Sequence, residues 1–164
     1  MYCDFYSIAD GEDNIPQFVD AVSWEIKNCL IDVSDWEFDT IFIGGGTPSL
    51  LKTSHIENIL SCLNKKFDLS NVKEFTIEAN PGEITKDKLK DFRQMGINRL
   101  SIGVQSLEPD LLKFLTRIHS VDQIFETYEF ARSAGFNNVN CDLIYSIPGQ
   151  TWDIWQRDLN QIIE

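Results

Sequence analysis

The chain has 164 residues, 43% of them apolar and 24% charged, the composition of one globular domain that buries roughly 70% of its unfolded surface. No apolar run approaches the ~18 residues of a membrane span, and Met1-Tyr2-Cys3-Asp4 opens neither the basic stretch nor the apolar core of a signal peptide, which argues for a cytoplasmic protein. Asp and Glu (26) outnumber Lys and Arg (14), and the net charge of −12 repels phosphate backbones, so a general nucleic-acid binder is excluded while small anions held by backbone N–H groups are not.

In chain order, Ile15, Phe18, Val19, Val22, Ile26 and Leu30 recur at helical spacing, with Asn14 placed to cap the helix and Pro16 in its first turn. Residues 38–43 (FDTIFI) read as a buried strand that runs into Gly44-Gly45-Gly46-Thr47-Pro48. Ser54-His55-Ile56-Glu57 has the form of a capping box for a helix carrying Ile56, Ile59, Leu60 and Leu63. Residues 73–79 (KEFTIEA) form the next strand, and Asn80-Pro81-Gly82 turns the chain. Leu89, Phe92 and Met95 mark a helix ended by Gly96, and residues 98–104 (NRLSIGV) a strand. Ser120-Val121-Asp122-Gln123 caps a helix that stops at Gly135, residues 138–145 (NVNCDLIY) form a strand, and Trp152, Trp155, Leu159 and Ile162 make a last helical stripe. Gly96-Ile97-Asn98 and Gly135-Phe136-Asn137 repeat one helix-to-strand hinge. Strands alternating with helices predict an α/β fold with a parallel sheet, and periodicity fits a doubly wound sheet and a barrel alike. The four tryptophans, Trp24, Trp36, Trp152 and Trp155, read as packing residues.

Cys3, Cys29, Cys62 and Cys141 are widely spaced. A disulfide framework does not suit this length and density, and the last three read as buried free thiols. Parallel α/β folds build sites at the carboxyl ends of their strands. Those ends here carry Gly44-Gly45-Gly46-Thr47, then Glu78 and Asn80, then Gln105 and Ser106, then Asp142 with Tyr145 and Ser146 beyond. Three glycines after a strand serve a tight turn or a close backbone approach to a ligand. Glu78 fits a solvated strand end as well as a ligand contact. Gln105 needs partners whichever role it has. Asp142 lies within an apolar strand, where an unpaired carboxylate is costly, so a ligand or a neighbouring Asn must meet it. Arg117 and His119 fall in a loop, where the ordinary reading is a solvated Arg and a structural His. No Ser-His-Asp set or zinc spacing is present, and no catalytic residue is assigned.

Six segments in register resemble one family. They are residues 2–5 (YCDF), 44–49 (GGGTPS), 76–82 (TIEANPG), 96–106 (GINRLSIGVQS), 115–119 (LTRIH) and 142–151 (DLIYSIPGQT). Together they look like the radical S-adenosylmethionine (SAM) proteins of the oxygen-independent coproporphyrinogen III oxidase group, and most like its HemW-type heme-chaperone branch. The resemblance implies a partial (β/α) barrel and a C-x-x-x-C-x-x-C loop holding a [4Fe–4S] cluster through three thiolates, with SAM on the fourth iron position. By that resemblance Cys3 matches the third cluster ligand and Tyr2 the aromatic beside it. Gly45, Gly46 and Thr47 match the glycine-rich SAM contact, and Glu78, Gln105, Arg117 and Asp142 the other SAM-contacting positions. Phe5 stands where the true oxidases carry a further cysteine, which favours the chaperone branch. Heme or a porphyrin is then the implied ligand of the full-length family, and respiratory heme-acceptor proteins the implied partners.

The same resemblance implies two cluster cysteines before Cys3, a first strand before them, and a C-terminal part after residue 164. Residues 1–164 are accordingly expected to be an incomplete radical SAM core, about four of six βα units. With one thiolate it is expected to hold no intact cluster and perform no radical chemistry by itself. Two alternatives accompany the chaperone reading: a piece of a true oxidase converting coproporphyrinogen III to protoporphyrinogen IX, and a cluster-free ligand-binding module.

Overall fold

Apolar runs and turn residues sort the chain into four strands and six α-helices among the described residues; the computed structural model describes residues 11–163. The strands are β1 (Thr40–Ile43), β2 (Glu74–Ala79), β3 (Arg99–Gln105) and β4 (Asn138–Leu143), all parallel and in the spatial order β1-β2-β3-β4. Ile43 lies opposite Ile77, Ala79 opposite Ile102, and Ile102 opposite Cys141. The helices are α1 (Ile15–Asn28), α2 (Thr53–Lys66), α3 (Lys86–Gln94), α4 (Pro109–Phe114), α5 (Val121–Ser133) and α6 (Trp152–Ile163). Sequential strand order without a reversal is that of a barrel segment; a doubly wound sheet reverses its order at a switch point. No described helix is long and apolar enough to cross a membrane.

The core lies where the two inner strands meet the helices. Ile77, Leu100, Ile102 and Val104 from the sheet pack with Ile56, Leu89, Phe92, Ile124, Ala131 and Phe136. Each such side chain contributes about 1.5–3 kcal/mol by leaving water. The two hinges are built alike. Gly96 (φ +94°) and Gly135 (φ +92°) take the left-handed conformation that only glycine adopts without strain. Ile97 N–H bonds back to Phe92 C=O and Phe136 N–H to Ala131 C=O, closing the ends of α3 and α5. Arg93 and Arg132, each three residues before its glycine, reach over to the carbonyls of Ile97 (2.7 Å) and Phe136 (3.1 Å). The Ser120 hydroxyl and the Gln123 amide cap α5 reciprocally, as expected.

Several expectations are corrected. β1 begins at Thr40, not Phe38, and is half-exposed rather than buried, because its only described neighbour is β2 and Phe42, on the face opposite the core-packed Ile41 and Ile43, is exposed. Leu30 lies beyond α1 and is 97% exposed. Asn14 makes no capping bond with its side chain; its backbone is already helical, within a 3-10 turn over Glu12–Asn14, so it lacks the extended geometry a cap requires. α2 starts at Thr53, and the His55 imidazole Nδ1, rather than Glu57, accepts the N–H of Lys52. Arg117 and His119 lie in a loop as expected, and the short helix that precedes it, α4, begun by Pro109, was not anticipated. Trp24, Trp36 and Trp152 are about two-thirds exposed and do not pack in the core. Of the three described thiols only Cys62 is buried; Cys29 and Cys141 are half-buried.

Candidate functional site

A parallel sheet puts every strand's carboxyl end on one rim, and a cavity of about 430 Å3 opens there, within the usual size of a small-molecule site. The turn after β1 brings Gly45, Gly46 and Thr47 to it, β2 brings Glu78, β3 brings Gln105, the segment after α4 brings Arg117, and β4 brings Asp142. All seven of these sequence-derived candidates line the same cavity. Tyr2 and Cys3 lie outside the described residues.

The cavity wall is knit by polar contacts that cross between loops. Glu78 Oε2 accepts the N–H of Gly45 at 3.0 Å, so the strand-end carboxylate orders the glycine turn. Asn80 donates to Thr47 Oγ1 (3.1 Å) and Glu83 Oε2 (3.0 Å), and its Oδ1 accepts from Arg117 Nη1 at 2.9 Å. One amide thereby joins the loops after β1, β2 and α4. Asp142 has the expected neighbours, Ser101 Oγ at 2.9 Å and Asn140 Nδ2 at 2.7 Å. Its carboxylate is exposed, because it faces the cavity and not the apolar core.

Gln105 ends β3 in an unusual way. Its φ is +66°, and the N–H of Ser106 bonds to the C=O of Val104 at 2.9 Å across it. A three-residue hydrogen-bonded turn with positive φ at its centre is the strained form of γ-turn. Gly103 lies beneath the same group: a Cβ there would stand 2.9 Å from Gln105 Nε2, 3.2 Å from Asn80 Oδ1 and 3.7 Å from Arg117 Nη2. Asn80, named with Glu78 at the end of β2, also lines the wall, as do Ser101, Gly103 and Thr116, which were not singled out from sequence. A glycine inside a strand pattern marks close approach and was the available signal for Gly103.

Beside Arg117, His119 is only 6% exposed and its Nε2 has no hydrogen-bond partner. Burial holds its pKa below the ordinary histidine value of 6.5, the Val104 carbonyl opposing this and the Arg117 charge assisting it. A lowered folded pKa means that the unfolded chain binds the proton more tightly. The resulting stability is present above about pH 6.5 and is lost as pH falls through the folded value. Melting curves of His119→Leu should therefore fall less between about pH 7 and pH 5 than those of the unsubstituted protein. Parallel profiles would contradict this.

The donor set suits a zwitterion with hydroxyl groups: Glu78 and Asp142 complement an ammonium and hydroxyls, Arg117 a carboxylate, and Asn80 and Gln105 either. It does not suit a metal cluster. Among the described residues no group of three or more His, Cys, Asp or Glu is placed to hold a metal. Cys141 points the same way, since burial, helped by the Asp142 charge, pushes its thiol pKa up, away from the thiolate a metal requires. Alkylation of Cys141 near neutral pH should accordingly run slower than that of a free cysteine peptide, a rate that mass spectrometry of the labelled protein gives directly.

Comparison with known proteins adds a lineage. The Radical SAM superfamily profile matches residues 1–162. The heme chaperone HemW of Lactococcus lactis is 35% identical over 99% of this chain, and HemW of Escherichia coli is 37% identical over 99% of it. The chain spans 42% and 43% of those two proteins. Among solved structures, the coproporphyrinogen III oxidase HemN of Escherichia coli, a radical SAM enzyme, superposes with a TM-score of 0.83 at 30% identity, covering 98% of this chain and 37% of that one.

Proposed function

This chain belongs to the radical SAM superfamily, and from that premise we propose that residues 1–164 are the SAM-binding core of a HemW-type heme chaperone. One observation carries the reading: Gly45-Gly46-Thr47, Glu78, Gln105, Arg117 and Asp142, from five separate segments of the chain, line one cavity at the strand ends. Gly45, Gly46 and Thr47 offer backbone groups to SAM. Glu78 orders that turn and presents a carboxylate toward the amino group. Arg117, held by Asn80, attracts the carboxylate end, and Gln105 and Asp142 offer acceptors to hydroxyls. SAM bound there supplies a sulfonium centre open to one-electron reduction. Cys3, with Tyr2 beside it, is the proposed contributor to a [4Fe–4S] cluster, and no step is assigned to the cluster because the described residues do not form its ligand set.

Heme or a porphyrin is the proposed cargo, respiratory heme-acceptor proteins the proposed recipients, and the cytoplasm the proposed compartment. The HemW relatives, described as heme chaperones, support this. The second reading is an oxidase acting on coproporphyrinogen III, favoured by the likeness to HemN. Heme titration and a porphyrinogen turnover assay, both on the full-length protein, separate the two: stoichiometric heme binding without turnover supports the chaperone, and turnover supports the oxidase. For the cavity, calorimetry should detect SAM binding, and Glu78→Ala should weaken it by roughly tenfold or more, since a charge-assisted contact is lost along with the support of the Gly45 turn. Undiminished affinity in that variant would remove Glu78 from the site.

A further inference from the structure

A fully buried carboxylate lies just behind the cavity, on a helix that contributes nothing to its lining. Asp158, in α6, is 0% exposed. Its Oδ2 accepts from Ser106 Oγ at 2.6 Å and from the N–H of Leu107 at 3.1 Å. The Ser106 hydroxyl in turn accepts the N–H of Glu108 at 3.1 Å, and Arg157 bonds Glu108 Oε2 at 2.8 Å. These contacts converge on the residues directly after Gln105, whose φ of +66° and γ-turn hydrogen bond mark a strained conformation for a residue with a Cβ. Such a conformation persists only where its surroundings over-determine it. On the other side, the Gln105 carbonyl accepts the N–H of Ile144 at 2.9 Å, tying the turn to the end of β4.

We propose that Asp158 is a positioning residue for the cavity: by gripping Ser106 and Leu107 it locks the strained turn at Gln105 and so presents the Gln105 amide to the ligand. A desolvated carboxylate is costly unless its bonds are made; here Oδ2 bonds to the two residues that fix where the turn ends, while Oδ1 is met by Arg157 Nη2 at 3.5 Å. The grip also couples α6 to the start of α4, and thereby to Thr116 and Arg117 at the far wall of the cavity. This inference rests on the reading of the cavity as a SAM site.

The test measures SAM affinity by calorimetry and melting temperature for Asp158→Ala, Asp158→Asn, Ser106→Ala and Gln105→Ala, with the exposed Asp153→Asn of α6 as control. Asp158→Ala should weaken SAM binding by about the same factor as Gln105→Ala, roughly tenfold, and the double variant should be no weaker than either alone. Asp158→Asn keeps an acceptor at the same place and should restore most of the affinity. If Asp158→Ala does not fold, Ser106→Ala removes one strand of the grip and should weaken binding several-fold. Unchanged affinity in these variants, or losses that add to that of Gln105→Ala, overturns the proposal. If the unsubstituted protein binds no SAM, the site reading fails, and a stability cycle with Gln105→Gly decides the positioning role separately. Loss of the grip lets the strained turn relax, and that relief exists only while residue 105 has a Cβ. Weakening the grip, by Ser106→Ala or Asp158→Ala, should thus lower the melting temperature more in the Gln105→Gly background than in the unsubstituted one. Equal losses overturn it.

Discussion

Gly103→Val is expected to abolish SAM binding while the protein still folds. A Cβ at this position would press on Gln105 Nε2 at 2.9 Å and Asn80 Oδ1 at 3.2 Å and stand in contact with Arg117 Nη2 at 3.7 Å, and the valine methyls extend beyond it toward the same three tips. All three are ends of flexible side chains, so they swing away rather than force the backbone apart. Valine is also favoured in a strand, and position 103 lies in β3. The cost therefore falls on the geometry of the site, where the Asn80–Arg117 bond and the Gln105 amide are displaced together. Losing that set at once is worth about 3 kcal/mol, more than a hundredfold in affinity. Calorimetry against SAM and a melting curve on the same sample provide the check. Retained binding would mean that Gln105, Asn80 and Arg117 do not meet the ligand, and a collapsed melting temperature would mean that Gly103 serves the fold.

Phe136→Ala is expected to produce the converse: a large loss of stability with the cavity residues untouched. The ring is fully buried in the main core, under the Arg93 guanidinium, which lies 5.3 Å from its centroid. It is the residue directly after Gly135, so it also anchors the hinge from α5 into β4. Removing a buried phenyl ring costs about 3–5 kcal/mol, the lost transfer energy plus the cavity left behind. For a domain of this size that lowers the melting temperature by roughly 10 °C. Denaturant titration would give the free energy, and a shift of only a degree or two would show that the neighbours refill the space.

The interior of the fold was legible because its signals are local and repeated. β2 and β3 are apolar runs buried by both neighbouring strands, and Ser120 and Gly96 carry cap and hinge chemistry that depends on the residue itself. What sequence misplaced lies at the margins. Residues 38–43 are as apolar as a central strand, yet β1 has a neighbour on one side only among the described residues, and nothing in its own letters distinguishes the two situations. Trp24 and Trp152, read as packing residues, stand exposed for the same reason: an aromatic on a helix has a face, but the sequence does not say whether that face meets anything, and Trp36 is exposed in the connection between α1 and β1. The site shows the same division. Glu78, Gln105 and Asp142 were found because polar residues at parallel strand ends converge, whereas Arg117, in a loop, was pointed to by the family resemblance alone. Asp158 was missed because it lies within an amphipathic helix, where a carboxylate reads as solvent-facing. Its value comes from Ser106, which no periodicity connects to it.

The twin hinges have a consequence for how such a chain arises. Residues 93–97 and 132–136 share one arrangement, an arginine, a left-handed glycine and the same closing hydrogen bonds, while the helices leading into them, KDKLKDFRQ and VDQIFETYEFARS, have little in common. A joint that does not depend on the letters of the helix before it is interchangeable. Duplication of one unit would bring its coupling ready-made, and divergence could then rewrite everything between the couplings, strand-end chemistry included, without altering how one unit hands the chain to the next.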